Sequence, residues 1–205
     1  MKYENASKGL MMVFIGEIIV LVSSVIGMLT DNLATVLRIA DIVALAIALT
    51  GLSMAGKDDR DYRSAYILNI VEIVVLLVGT ILLGIVLAAA VGNSSSGLLL
   101  GVLIGTLLLS VAAPVFKLLI LYRVCMTTAR LAASLAGICR AVWLINLICT
   151  LVALVAGVLS AIGVFVSTAL VAAAGALAII AAIASIVGSV LYLYFLYKGS
   201  RELAA

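Results

Sequence analysis

The chain has 205 residues, of which 67% are hydrophobic and 10% charged, and its mean hydropathy is +1.44. So little polar surface cannot coat a water-soluble globule, which excludes that class and places the chain in a lipid bilayer. The net charge of +3 is scattered over short polar segments, so the basic footprint of a nucleic-acid binder is missing and nucleic acid is not an expected partner.

The sequence divides into six apolar spans, approximately 9–30, 33–55, 64–91, 97–122, 140–163 and 167–197. Each is long enough, at about 1.5 Å per residue, to cross roughly 30 Å of hydrocarbon. The expected fold is therefore all-α: an integral membrane bundle of six transmembrane helices, built as a single domain over residues 1–205.

Span one follows Lys2 and Lys8 and carries Glu17 in its apolar run. Lysines before an apolar segment resemble a signal peptide, with Gly27 at a conceivable cleavage site. A carboxylate in the apolar core is foreign to such a signal, so span one is read as retained. Span two contains Arg38 and Asp41, three apart on one helical face, and ends in the polar run Lys57 to Arg63. Span three places Asn69 and Glu72 after Arg63 and Tyr66; Glu72 lies nine residues past Arg63, on the order of 13 Å into the hydrocarbon. Span four opens with Gly97, Gly101 and Gly105, a small-xxx-small series suited to close helix packing, and passes Pro114, where a kink is expected, before Lys117.

The segment from Arg123 to Arg140 has an apolar stripe of Leu131, Leu135, Ile138 and Val142 beside Arg123, Thr127, Arg130 and Ser134. That pattern suits either an interfacial amphipathic helix or an extension of span four, anchoring the bundle or docking a partner. Span five offers Asn146, Thr150, Ala153 and Gly157 on one face; span six offers Ala181, Ser185 and Ser189. The last two spans are separated only by the weak break near Gly163 to Ser167, and the length of the run, about two crossings, requires a turn there.

Lys and Arg gather in the segments before span one, between spans two and three, between four and five, and after six, while the opposite connections contain none. Cations are retained on the cytoplasmic side, so both termini are expected there, in a multi-pass protein of the cell membrane. Tyr3, Tyr62, Tyr66, Tyr122, Trp143, Tyr192, Tyr194 and Tyr197 fall near the same face and read as headgroup anchors.

Laying MVFIGEIIVLV over LNIVEIVVLLV aligns Glu17 with Glu72, and AVWLINLICTL fits the same frame with Asn146 in place of the carboxylate. Spans 1–2, 3–4 and 5–6 then form three parallel helical hairpins, each with a polar residue at one depth. The three cysteines read as small apolar filler. With no histidine, no Cys-x-x-Cys, no P-loop and no Gly-x-Ser-x-Gly, enzyme activity, cofactors and metals are not expected.

The informative residues are Glu17, Arg38, Asp41, Asn69, Glu72, Lys117 and Asn146. A charge mid-bilayer costs roughly 2.5–3.5 kcal/mol, against about 0.3–0.6 returned by each central Leu, Ile, Val or Phe. Mutual neutralisation is the simplest account of these residues: Arg38 with Asp41, and Lys117, about 9 Å in from Arg123, with the Glu17 and Glu72 level, or snorkelling to the interface. The sharper reading is that two carboxylates at one depth, facing one cavity, handle a proton or cation, with Asn69 orienting Glu72.

The residues ALTGLSMAGKDDRDYRSAYILNI and LYLYFLYKGSREL resemble the small repeat-built multi-pass membrane proteins of bacteria and archaea whose function is unassigned. That resemblance implies the fold and no site. Two functional classes remain. A structural or partner-binding component needs a tight bundle with paired charges; a small transporter or channel subunit needs a polar cavity reaching Glu17 or Glu72. The sparse polar inventory puts the first ahead, with the bilayer, a second copy or another membrane subunit as partners.

Overall fold

Long apolar runs leave the backbone one way to satisfy its polar groups in lipid, the helix, and the chain stays helical even through Pro114. The computed structural model describes residues 3–29, 34–93, 96–166 and 168–204, and these form α1 (Glu4–Leu29), α2 (Ala34–Ala55), α3 (Arg60–Asn93), α4 (Ser96–Leu131), α5 (Ala136–Val166) and α6 (Thr168–Ala204). A 3-10 turn at Ala133–Leu135 joins α4 to α5. All six helices are long and apolar enough to cross a membrane. The chain is an all-α membrane bundle. Helix α5 runs unbroken to Val166, through most of the break expected near Gly163 to Ser167; position 167 lies outside the described residues, as do positions 30–33 and 94–95.

Helices α1 and α2, α3 and α4, and α5 and α6 pack as antiparallel hairpins; α2 also meets α3, α4 meets α5, and α6 returns to α1. The six helices thus follow one another around a closed ring. The segment 123–140 adopts the second of its two expected forms. α4 runs on as far as Leu131, and Leu135 and Val142 of the apolar stripe are fully buried, so the stripe covers the bundle end.

Inner faces keep a three-four spacing, the repeat that holds one side of a helix toward its neighbours. On α3 that stripe is Tyr62, Ala65, Asn69, Glu72, Leu76 and Gly79, while Val71, Val74, Val78 and Ile85 are exposed, as suits lipid. Packing is graded along the bundle. A core of Leu10, Leu52, Tyr62, Val124, Leu135, Val142, Phe195 and Leu196 fills the charged end. Towards the other end the helices expose large aliphatic residues such as Ile81, Leu108, Ile179 and Ile183.

Two side chains read from the sequence as headgroup anchors belong to this core instead. Tyr62 and Tyr192 lie on inner stripes and are 0% and 8% exposed; Tyr122, Tyr194 and Tyr197 are exposed as expected. The Tyr62 hydroxyl stands 2.6 Å from Thr128 Oγ1. Thr128 Oγ1 donates its own proton to the Val124 carbonyl at 2.8 Å, so Tyr62 is the donor of the pair.

The glycines that matter for packing are in α1 and α2. A Cβ on Gly16 would sit 2.8 Å from the Ala44 carbonyl oxygen, and one on Gly9 would strike the backbone of Gly51 and Ala55. Only glycine permits this approach, the device by which helices associate in lipid. In the α4 series, Gly105 packs on Leu83 but Gly101 meets nothing within 4 Å. Gly157 of α5 meets nothing either.

Polar side chains tie the charged end together. Asp58 accepts from Asn5 Nδ2 and the Ala6 amide, both at 2.8 Å, capping α1 from 52 residues away. Asp59 accepts from the Asp61 amide at 2.9 Å, capping α3, and pairs with Arg130 of α4 at 2.7 Å. Asp61 reaches Arg130 at 3.2 Å and Arg123 at 3.7 Å. Ser7 donates to the Ser200 carbonyl at 2.7 Å, joining α1 to α6, and Ser134 meets Glu202.

Candidate functional site

Two inner stripes change character at the level of Glu17. On α4, Lys117 is followed at the same spacing by Leu121, Val124 and Thr128; these three are buried and Lys117 is exposed. On α6, Ser185 is exposed although Ala181, Gly188 and Tyr192 of its stripe are buried. The Ser185 position opens onto a cavity.

One cavity of about 300 Å³ lies there between α1 and α6, lined by Glu17, Val20, Leu21 and Ser24 from α1 and Ala182, Ser185, Ile186, Ser189 and Leu193 from α6. It can hold several waters or one small solute. Its polar groups are a carboxylate and three hydroxyls. Ser24 donates to the Val20 carbonyl at 2.8 Å, which leaves its oxygen free to accept from or coordinate a guest. A smaller cavity of about 100 Å³ between α4 and α5 is lined by Ser110, Pro114, Ala153 and Gly157, with aliphatic neighbours.

Glu72 lies on the α3 inner face and is 8% exposed. Lys117 acts electrostatically on both Glu17 and Glu72, so it stands within electrostatic reach of each carboxylate. No ion pair within 4.0 Å forms among them in the described residues. Two carboxylates against one ammonium leave one negative charge uncompensated when all three are ionised. Asn69, one turn from Glu72, has its Oδ1 buried with no hydrogen-bond partner, an acceptor in want of a donor. Asn69 does not hydrogen-bond Glu72, so its expected role in orienting that carboxylate is absent from this geometry.

The other sequence candidates separate from this group. Asn146 donates from Nδ2 to the Val142 carbonyl at 2.8 Å and rests over Gly188, whose absent Cβ would lie 3.2 Å from Asn146 Oδ1. It fastens α5 to α6. Arg38 and Asp41 are both exposed on α2 and do not pair with each other within 4.0 Å, so the mutual neutralisation expected of them does not occur. Ser24 is the site residue that sequence reasoning missed; it follows Glu17 by seven residues, two helical turns along the same face. Ser185 and Ser189 were visible, though only as a packing face.

The chain matches no protein-family model, no curated protein and no solved structure.

Proposed function

We propose that this membrane protein binds a proton or a small monovalent cation at Glu17 and passes it through the cleft between α1 and α6. The observation that carries the reading is the cavity itself: an unpaired carboxylate opening onto about 300 Å³ with Ser24, Ser185 and Ser189 around it. A bundle serving only as scaffold would be expected to fill or neutralise such a site, because a buried unpaired charge is expensive in lipid. The surplus negative charge of Glu17 and Glu72 over Lys117 is what one proton or one monovalent cation would offset. With its cations placed inward, the core-filled, ion-paired end is the cytoplasmic gate.

The test is flux in liposomes carrying the purified protein, driven separately by a pH gradient and by a sodium or potassium gradient. Glu17→Gln should abolish flux while leaving thermal stability in detergent near wild type, because the amide is almost isosteric. Glu72→Gln and Lys117→Met, alone and together, report whether Glu72 belongs to the path or to the scaffold. If wild type moves no ion under either gradient, and Glu72→Gln is destabilised and rescued by Lys117→Met, the reading is wrong and the charges are structural.

A further inference from the structure

The segment from Lys57 to Arg63, between α2 and the start of α3, carries three acids and three bases, so its charges sum to zero. The fold sorts the two signs. Each acid turns toward a neighbouring helix. Asp58 accepts from Asn5 and the Ala6 amide of α1, both at 2.8 Å. Asp59 pairs with Arg130 of α4 at 2.7 Å, and Asp61 with Arg130 and Arg123 at 3.2 and 3.7 Å. Lys57, Arg60 and Arg63 are all exposed, and none forms an ion pair within 4.0 Å among the described residues. The backbone keeps these three together: a Cβ on Gly56, next to Lys57, would lie 3.1 Å from Arg63 Cα, and Arg60 is about one turn before Arg63. With Arg123 and Arg130 included, five cations stand against three carboxylates, which leaves a surplus of two positive charges on the outer side.

Helix stability does not account for that surplus, because Arg60 and Arg63 occupy the first turn of α3, the end whose dipole disfavours positive charge. From Arg63 the three-four repeat continues through Ile67, Ile70 and Val74, all exposed, on the side of α3 opposite buried Tyr62, Ala65 and Glu72. Arg63 and Val74 are about 16 Å apart along the axis, the depth of one leaflet of a roughly 30 Å hydrocarbon layer. Three uncompensated cations at the head of an apolar column one leaflet deep fit a molecule with a negative headgroup and an acyl chain. We propose that Lys57, Arg60 and Arg63 bind the phosphate of an anionic phospholipid whose chain lies along Ile67, Ile70 and Val74. The two guanidinium groups can each offer paired N–H donors to phosphate oxygens, and Lys57 adds a point charge. Each basic residue at a membrane surface strengthens such binding about fivefold. A soluble anion could use the cations but would gain nothing from the column.

The test takes the purified full chain, delipidated in mild detergent, and titrates it with phosphatidylglycerol or with phosphatidylcholine of the same acyl chains, bound lipid being counted by native mass spectrometry. Wild type should take its first phosphatidylglycerol about a hundredfold more tightly than phosphatidylcholine. The triple variant Lys57→Gln, Arg60→Gln, Arg63→Gln should lose this preference, and each single variant about fivefold of it. A charge-matched control, Lys8→Gln, Lys198→Gln, Arg201→Gln, removes three cations that already have partners in Glu4, Glu202 and the Tyr197 ring, and should keep it. Circular dichroism checks that each variant is folded; if the triple variant is not, the three single variants decide. An undiminished preference in the triple or single variants, an equal loss in the control, or a wild type that takes both lipids alike would each overturn the proposal. So would displacement of the lipid by inorganic phosphate beyond that by chloride at equal ionic strength, which would assign the cations to a soluble anion.

Discussion

Substituting Gly9 by alanine tests the claim that α1 and α2 associate through backbone contact. The added methyl would lie 2.8 Å from the Ala55 nitrogen and 2.9 Å from the Ala55 Cβ, besides overlapping the Gly51 carbonyl oxygen. An ordinary contact is about 3.5 Å or more, so the shortfall is roughly 0.6–0.7 Å at the Ala55 atoms and greater at the Gly51 oxygen. Each atom it meets is backbone or Cβ, so nothing can rotate aside and the helices must separate. A gap of that size forfeits a quarter to a half of the dispersion energy of each seam contact, including those of Gly16 with Ala44 and Ala48. Overpacking of this kind costs about 1–3 kcal/mol, and rigid surroundings put Gly9 in the upper half of that range. Replacing helical glycine with alanine returns about 1 kcal/mol, so the net loss is about 1–2 kcal/mol. Gly101→Ala is the control: nothing lies within 4 Å of its Cβ position, and only the propensity gain remains. The two variants, compared by denaturant titration in detergent, should therefore differ by about 2–3 kcal/mol. Equal stability, or a more stable Gly9→Ala, would refute the close crossing.

Tyr62→Phe removes one donor and leaves Thr128 still bonded to Val124, so it should lower stability by about 1 kcal/mol, whereas Thr128→Val strands a buried tyrosine hydroxyl and should cost more, about 1–3 kcal/mol; the reverse order in the same titration would contradict the assigned direction of the bond. Asp58→Ala should cost about 1 kcal/mol by uncapping α1 and speed amide exchange at Ala6, with Asp58→Asn intermediate; unchanged exchange in Asp58→Ala would show that the cap is not in force.

The spans and the pairing into hairpins were legible because a membrane imposes length and hydropathy on every crossing. Contacts between distant segments were not. Arg130 and Asp59 are 71 residues apart, and nothing periodic links them, so the three aspartates read as loop charges rather than as caps and ion-pair partners. The glycine series was half informative for a related reason. Gly105 packs closely on Leu83 while Gly101 meets nothing within 4 Å, because the small-xxx-small pattern states that close approach is allowed, not that a partner is there. The pairing actually used, Gly9 and Gly16 against Ala44, Ala48, Gly51 and Ala55, needs both helices to be read together. Exposure likewise escaped the sequence: Lys117 and Ser185 occupy core positions of their stripes yet are exposed, and Ser185 borders the cavity.

The return of α6 to α1 has a consequence for how the protein is made. Each hairpin joins neighbours in sequence and can assemble as soon as its second helix has entered the bilayer. The seam between α1 and α6, with Ser7 bonded to Ser200 across 193 residues, must wait until every intervening helix has been inserted. During that interval α1 presents Glu17, which in the finished bundle borders the cavity against α6, to lipid or to whatever insertion factor shields it. A chain stalled before α6 would leave that carboxyl without its α6 wall, a polar mark that separates an unfinished ring from a closed one.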